Sequence, residues 1–168
     1  LVAEAFASGE GGLILIDAAT VLIDDSTVNT NSLAAPGSPP ATGNSGALGI
    51  RATEVTLNNG AQLRSDSLSE GHGGDIKIET NELSLNGENT SITAQTTGTG
   101  EGGFIQVDAR EVALTDRASI KTDSLRSGEG GFIAINSTQS VSVEGAGTSI
   151  SAKAGGSGIG GAILITTD

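Results

Sequence analysis

Short runs of alternating apolar and polar residues recur along the whole chain. Each repeat opens with the pattern Gly-Gly-x-(Ile/Val/Leu)-x-(Ile/Val), or a close variant of it, and successive openings start 34, 28, 29, 28 and 30 residues apart. A fixed period of this length predicts a solenoid, because one repeat cannot bury its apolar face until its neighbours stack on it. The six openings span residues 11–16, 45–50, 73–78, 102–107, 130–135 and 160–165.

Two further strand signals follow each of the first five opening runs. The first is an alternating apolar pair, and the second, after a turn of Asn, Asp and Gly residues, is a short run with one inward aliphatic residue. The pairs are Val21/Ile23, Val55/Leu57, Leu83/Leu85, Val112/Leu114 and Val141/Val143, and the later residues are Val28, Leu63, Ile92, Ile120 and Ile150. No segment has the i, i+3, i+4 spacing of an amphipathic helix. We therefore predict an all-β, three-faced parallel β-helix of five to six coils, with 28–30 residues per coil. The crossover rule predicts a right-handed coil.

The composition fits a narrow solenoid better than an ordinary globular core. The 168 residues include no Trp, Tyr, Cys or Met and only three Phe. A β-helix needs no large residues, because equivalent aliphatic side chains of successive coils stack into columns about 4.8 Å apart. One predicted column consists of Ile14, Leu48, Ile76, Ile105, Ile133 and Ile163.

The charge of the chain restricts its partners. Eight Lys and Arg residues against 20 Asp and Glu give a net charge of -12. Phosphate recognition needs basic residues, so this balance argues against nucleic acid and anionic membranes as partners. No apolar run is long enough to span a bilayer, so we predict no membrane insertion.

The repeats predict one β-helix segment over residues 1–168 with a single irregular insertion. The chain starts in the middle of a coil and ends just after an opening strand, so we expect it to be a segment of a longer array. The insertion at residues 34–44 is rich in Pro and Gly and contains all three prolines. We interpret it as a surface loop, either a tolerated insertion without a partner or a recognition loop.

The repeat at residues 100–114, Gly-Glu-Gly-Gly-Phe-Ile-Gln-Val-Asp-Ala-Arg-Glu-Val-Ala-Leu, resembles the shaft repeats of large bacterial exoproteins of the filamentous haemagglutinin type. Such proteins are exported by two-partner secretion through an outer-membrane transporter. The resemblance implies a secreted structural or adhesive shaft at the bacterial surface, with cell-surface glycans or matrix as partners. Two other functions stay open: a polysaccharide-active β-helix enzyme, and a filament segment that self-associates head to tail.

Phe104 and Phe132 occupy the same position in adjacent coils and point outward by alternation. Their rings should stack about one strand spacing apart. A paired aromatic surface of this kind would hold the face of a sugar. In the alternative that we favour, a flanking corner with Leu125 or Thr97 folds over the rings.

Glu79 and Asp108 are, with the two Phe residues, the candidate binding residues, and they would form the catalytic pair in the enzyme alternative. They are outward neighbours on adjacent coils, and two close carboxylates predict one raised pKa, as a general acid requires. Arg51 and Arg110 lie nearby and would instead neutralise them. Because exposed carboxylates usually only solvate a surface, we expect no enzymatic activity.

The corner before each Gly-Gly carries the remaining candidate ligands. His72 is the only histidine, and without Cys or a second His it is a poor transition-metal site, so we expect it to be exposed and inert. Glu10, Glu101 and Glu129 recur at the same corner, but the nonapeptide calcium pattern is not met. We predict no metal and no cofactor.

Overall fold

The computed structural model describes residues 1–6, 9–34, 42–68 and 70–168. The regular secondary structure of these residues consists of β-strands. None of these residues forms a helix long and apolar enough to cross a membrane. In chain order the strands are β1 (Ala5–Phe6), β2 (Leu13–Asp17), β3 (Thr20–Asp24), β4 (Thr27–Asn29), β5 (Ser32–Leu33), β6 (Ala47–Arg51), β7 (Glu54–Asn58), β8 (Gln62–Arg64), β9 (Asp75–Glu79), β10 (Glu82–Asn86), β11 (Ser91–Thr93), β12 (Phe104–Thr115), β13 (Ser119–Lys121), β14 (Phe132–Val143), β15 (Ser149–Ser151) and β16 (Ala162–Thr167).

Three ladders of strands run along the molecule, one from each strand signal of the repeat. The first ladder stacks β2, β6, β9, the first halves of β12 and β14, and β16. The second stacks β3, β7, β10 and the second halves of β12 and β14, and the third stacks β4, β8, β11, β13 and β15. Every pairing is parallel, so the structure confirms the predicted all-β solenoid, with about five turns.

Columns of aliphatic side chains fill the interior, one side chain from each coil. In the first ladder Leu48, Ile76, Ile105 and Ile133 are successive register partners and are at most 1% exposed. Full burial of one such side chain stabilises a fold by roughly 1.5–3 kcal/mol. Period-two alternation therefore predicts both the inward residues and their partners in the next coil.

The fourth and fifth coils differ from the predicted pattern, because their first and second strands are continuous. β12 and β14 each run for 12 residues through the corner. The register shifts there, since Phe104 pairs with Phe132, 28 residues later, whereas Glu111 pairs with Ser140, 29 residues later. A one-residue β-bulge in β14 therefore accounts for part of the longer interval, 30 residues, between the starts of the fifth and sixth opening runs.

A fourth, shorter column of bridges stacks the Ser/Gly-rich corner that leads into the next opening run. β1 pairs with β5, and single bridges then join Ser32 to Ser67, Ser67 to Thr96, Thr96 to Ser124 and Ser124 to Ala154. The Ser and Thr side chains of this column are at most 1% exposed. Although this corner is rich in turn-forming residues, its backbone is bonded to the neighbouring coils.

The turn between the second and third strands has left-handed backbone, as its residue types predict. Asn59, Asn89 and Asp116 have φ values of 55°, 66° and 52°. Of the predicted insertion at residues 34–44, residues 35–41 lie outside the described residues. At the end of the insertion, the Asn44 carbonyl accepts a hydrogen bond from the N–H of Gly11 at 2.9 Å, which joins this residue to the preceding coil.

Candidate functional site

The Gly-Gly signature closes each coil through a hydrogen bond across its corner. The second glycine donates its N–H to a carbonyl just beyond the third strand, as Gly103 does to Ala94 at 2.6 Å and Gly131 to Thr122 at 2.7 Å. A Cβ atom on Gly103 would lie 2.0 Å from the carbonyl oxygen of Gly74 in the preceding coil. Side chains are therefore sterically excluded from this strip, which leaves bare backbone at the surface.

The bare strip forms the floor of an open groove, here called the glycine groove. Two adjoining cavities of about 500 and about 550 Å³ share His72, Gly73 and Asp75, so the groove continues from coil to coil. One wall consists of residues directly before Gly-Gly, namely Glu10, Asn44, His72, Glu101 and Glu129. The other wall is the first outward column of the opening strands, namely Leu13, Ala47, Asp75, Phe104, Phe132 and Ala162.

The two predicted aromatic residues lie together in the glycine groove. Phe104 and Phe132 are register partners, and their rings stack with centroids 5.6 Å apart and planes 6° apart. Neither ring belongs to the hydrophobic core cluster, Phe132 is 37% exposed, and Leu125, expected to cover the pair, is itself 56% exposed. The facing sides of the rings cover each other, so the pair presents edges and outer faces to a ligand instead of one flat platform.

His72 links two coils at the wall of the groove. Its side chain is 51% exposed, and its Nδ1 accepts a hydrogen bond from the N–H of Glu101 at 2.9 Å. The exposure agrees with the sequence analysis, but the imidazole also satisfies a backbone donor of the next coil. Within the described parts of the chain, no group of three or more His, Cys, Asp and Glu side chains is placed to hold a metal ion.

Glu79 is held as an anion by two cations. Lys77 Nζ lies 2.7 Å from Glu79 Oε1, and Arg51 Nε lies 2.9 Å from Glu79 Oε2. The hydrogen bonds from Lys77 and then from Arg51, with their positive charges, hold the pKa of the Glu79 carboxyl below its usual value. The raised pKa that the enzyme alternative requires of one of the two carboxyl groups is therefore not found at Glu79. The predicted neutralisation by Arg51 is confirmed, and Lys77 is a second cation, so both carboxylate oxygens have charged donors.

Asp108 is the register partner of Glu79 but has its own donors. Its carboxylate accepts hydrogen bonds from Gln106 Nε2 and from Asn136 Nδ2, both at 2.7 Å. Asn136 in turn accepts a hydrogen bond from the Thr166 hydroxyl at 2.8 Å. Glu79 and Asp108 are thus neighbours in an outward-facing polar ladder, and each carboxylate accepts hydrogen bonds from the side chains next to it.

Two buried aspartates, missed in the sequence analysis, hold the corner after the third strand. Asp66 and Asp123 are 2% and 8% exposed. Asp66 Oδ1 accepts the N–H of Gln95 at 2.8 Å, and Asp123 Oδ1 accepts the N–H of Lys153 at 2.7 Å, so each carboxylate caps the next coil. The available signal was positional, because an amide or acid stands at this point in four coils, as Asn31, Asp66, Gln95 and Asp123.

No family model matches the chain, and no curated protein or solved structure shows significant similarity to it. The features of the molecule that bear on function are therefore the β-solenoid itself, the glycine groove with its stacked rings and the polar ladder through Glu79 and Asp108.

Proposed function

We propose that the chain is a structural and adhesive shaft segment of a secreted bacterial surface protein. The observation that carries the proposal is the in-register stacking of the parallel coils, which is interrupted by the bulge between Ala109 and Glu111 and otherwise repeats each outward position at one strand spacing along the molecule. Columns at regular spacing favour many weak contacts with a repetitive partner, and linked weak contacts give strong overall attachment.

The parent protein in this proposal is a large exoprotein of the filamentous haemagglutinin type, exported through an outer-membrane transporter. Its support is the likeness of the repeats at residues 100–114 to shaft repeats, together with a solenoid whose coils stack as such a shaft requires. The proposed location is the bacterial cell surface, and the proposed partners are cell-surface glycans or matrix.

The proposed contact surface is the glycine groove around Phe104 and Phe132. The groove is open along its length, and the outer face of the Phe132 ring is next to Ala162, whose small side chain leaves that face accessible. Aromatic faces and edges pack well against apolar C–H surfaces, while the groove carboxylates Glu101 and Glu129 are placed to accept hydrogen bonds from hydroxyl groups.

A role without catalysis is part of the proposal. A glycosidase needs one carboxyl group that carries a proton near neutral pH. Glu79 has the opposite property, because Lys77 and Arg51 lower its pKa. The hydrogen bonds of Asp108 with Gln106 and Asn136 favour a ladder role for this residue as well.

A glycan-array screen of the purified chain tests this proposal, with matched samples assayed for oligosaccharide cleavage. We expect saturable binding to a restricted set of glycans, without cleavage. Phe132→Ala should weaken that binding by roughly fivefold, the contribution of one aromatic contact. Leu22→Ala, which removes a side chain that is 64% exposed in the second ladder, is the matched control and should leave binding unchanged.

Two results would contradict the proposal. Equal losses in Phe132→Ala and Leu22→Ala would remove the glycine groove as the contact surface. Cleavage that disappears in Glu79→Gln or Asp108→Asn would show an enzyme in place of an adhesive shaft.

A further inference from the structure

A second groove lies on the third ladder, away from the glycine groove, and encloses about 270 Å³. It results from differences in side-chain length between coils. Ser91 and Thr93 of β11 are short and are 9% and 7% exposed, whereas the neighbouring coils place the longer Arg64 and Lys121 beside them as register partners of Thr93. We call this depression the third-ladder groove.

Arg64 is fixed in position at one side of the third-ladder groove. Its Nε lies 2.7 Å from Asp66 Oδ2, and the Asp66 side chain is only 3% exposed. The carboxylate is further held by the Thr93 hydroxyl at 2.9 Å and the N–H of Gln95 at 2.8 Å. The terminal guanidinium nitrogens of Arg64 form no hydrogen bond with the described residues, so their N–H groups remain available to a ligand.

Lys121 lies on the other side of the same groove. Arg64 and Lys121 are the register partners of Thr93 on its two sides, so they lie two coils apart and their Cα atoms are separated by roughly 10 Å. The Lys121 ammonium group forms no ion pair with any residue that the structure describes. The groove lining therefore contains two cations and one carboxylate, Asp66, which gives it a net charge of +1, although the whole chain has a net charge of -12.

We infer that the third-ladder groove binds a carboxylate-bearing sugar unit of an acidic polysaccharide. The planar guanidinium of Arg64, already oriented by Asp66, presents paired N–H donors that match the two oxygens of a carboxylate. Lys121 adds a second charge on the opposite side. The proposal is independent of the glycine groove, because it uses another face of the solenoid and other side chains.

The rest of the lining favours a saccharide over other anions. Gln62, Gln95 and Asn89 contribute amides, and Ser91 and Ser119 contribute hydroxyl groups, which pair with the hydroxyl groups of a sugar. Among the residues that the structure describes, the lining has no aromatic residue on which a nucleic-acid base would stack, and no apolar pocket for the side chains of a peptide. The Asp123 carboxylate lies next to the lining and is held by Gln95 Nε2 at 3.3 Å, the Ser151 hydroxyl and the N–H of Lys153. More distant acidic residues of the chain are screened at physiological salt, where the Debye length is about 8 Å.

Calorimetric titration of the full chain with galacturonate oligomers tests the inference, with EDTA present so that calcium cannot bridge two acidic partners. We expect binding to the uronate oligomers and none to neutral dextran. Lys121→Gln should weaken binding about tenfold, the effect of losing one charge-assisted hydrogen bond. Arg64→Lys should weaken it by a similar factor although it keeps the charge, because the planar fork is lost.

Arg110→Gln is the matched control, since it removes one positive charge from an exposed residue between the first and second ladders. Its affinity should stay within twofold, and the melting temperature of each variant should show that it folds. The inference is overturned if dextran binds as well as the uronate oligomers, if no binding occurs, or if Arg110→Gln and Lys121→Gln weaken it equally. Equal binding of polyglutamate, or tighter binding of dextran sulfate, would overturn the carboxylate-sugar assignment.

Discussion

Asp66→Ala removes a buried carboxylate whose effect on stability can be worked out from its hydrogen-bond partners. The Asp66 side chain is 3% exposed and accepts hydrogen bonds from Arg64 Nε, the Thr93 hydroxyl and the N–H of Gln95. A hydrogen bond to a charged group contributes about 1.5–3 kcal/mol. Arg64 is 33% exposed and regains water, so we count only the other two donors and discount the partly exposed Gln95. The expected loss is about 3 kcal/mol of unfolding free energy.

Urea unfolding measures this loss. With a slope of about 2 kcal/mol per molar urea, the midpoint should fall by about 1.5 M. Asp66→Asn keeps an acceptor for Gln95 N and should give an intermediate value. The control is Asp75→Ala, at an exposed position of β9, which should change the free energy by no more than about 0.5 kcal/mol. If Asp66→Ala destabilises the chain no more than Asp75→Ala does, the buried aspartate does not hold the corner.

Three further predictions concern register, coil closure and the polar ladder. The native chain has no cysteine, and Ser84 and Ala113 are register partners, so the double variant Ser84→Cys with Ala113→Cys should oxidise readily to a disulfide. The double variant Ser84→Cys with Thr115→Cys, which is out of register, should not, and gel mobility with and without reductant distinguishes the two. Gly103→Ala should lower the melting temperature by several degrees, because its Cβ meets the neighbouring carbonyl; an unchanged value in calorimetry would refute the steric role of this glycine. Because the pKa of Glu79 is lowered in the folded chain, its ion pairs stabilise the fold at pH values above the ordinary glutamate pKa, and this stabilisation is lost as the pH falls through the pKa of the folded state. An NMR titration of Glu79 with a midpoint at or above the ordinary glutamate pKa would contradict this.

The sequence predicts the solenoid well because one physical rule repeats in every coil. Alternation separates inward from outward residues, and the fixed period makes equivalent residues neighbours. Ile76, Ile105 and Ile133 were assigned to one column on this basis, and the structure pairs them in register. The handedness of the coil stays a prediction of the crossover rule.

The buried polar residues were harder to predict, because alternation classifies them only by residue type. Asp66 and Ser67 follow a third strand, where polar residues indicate a turn or an exposed surface. In the structure they are 2% and 0% exposed. What buries Asp66 is a set of donors from the same and the next coil, namely Arg64, Thr93 and Gln95, and these meet only after the coils have stacked.

The charge environment of Glu79 was predicted only in part. Its pairing with Asp108 was predicted correctly from the period and indicated like-charge repulsion. The nearest charges are instead Lys77, two residues earlier on the same face, and Arg51, its register partner in the preceding coil. Arg51 was named as a neutralising neighbour from the sequence, whereas Lys77 was missed; comparing all outward neighbours of Glu79 would have predicted a lowered pKa.

The proposed shaft function rests on adhesion through many weak contacts along the glycine groove. Its most direct test compares binding to the glycan array by the free chain and by beads that carry many copies of it. We expect weak saturable binding by the free chain and an apparent affinity about 10²–10⁴-fold higher for the beads, with both lost in the double variant Phe104→Ala and Phe132→Ala. Bead and free-chain affinities that are equal, or bead binding that the double variant leaves unchanged, would contradict it.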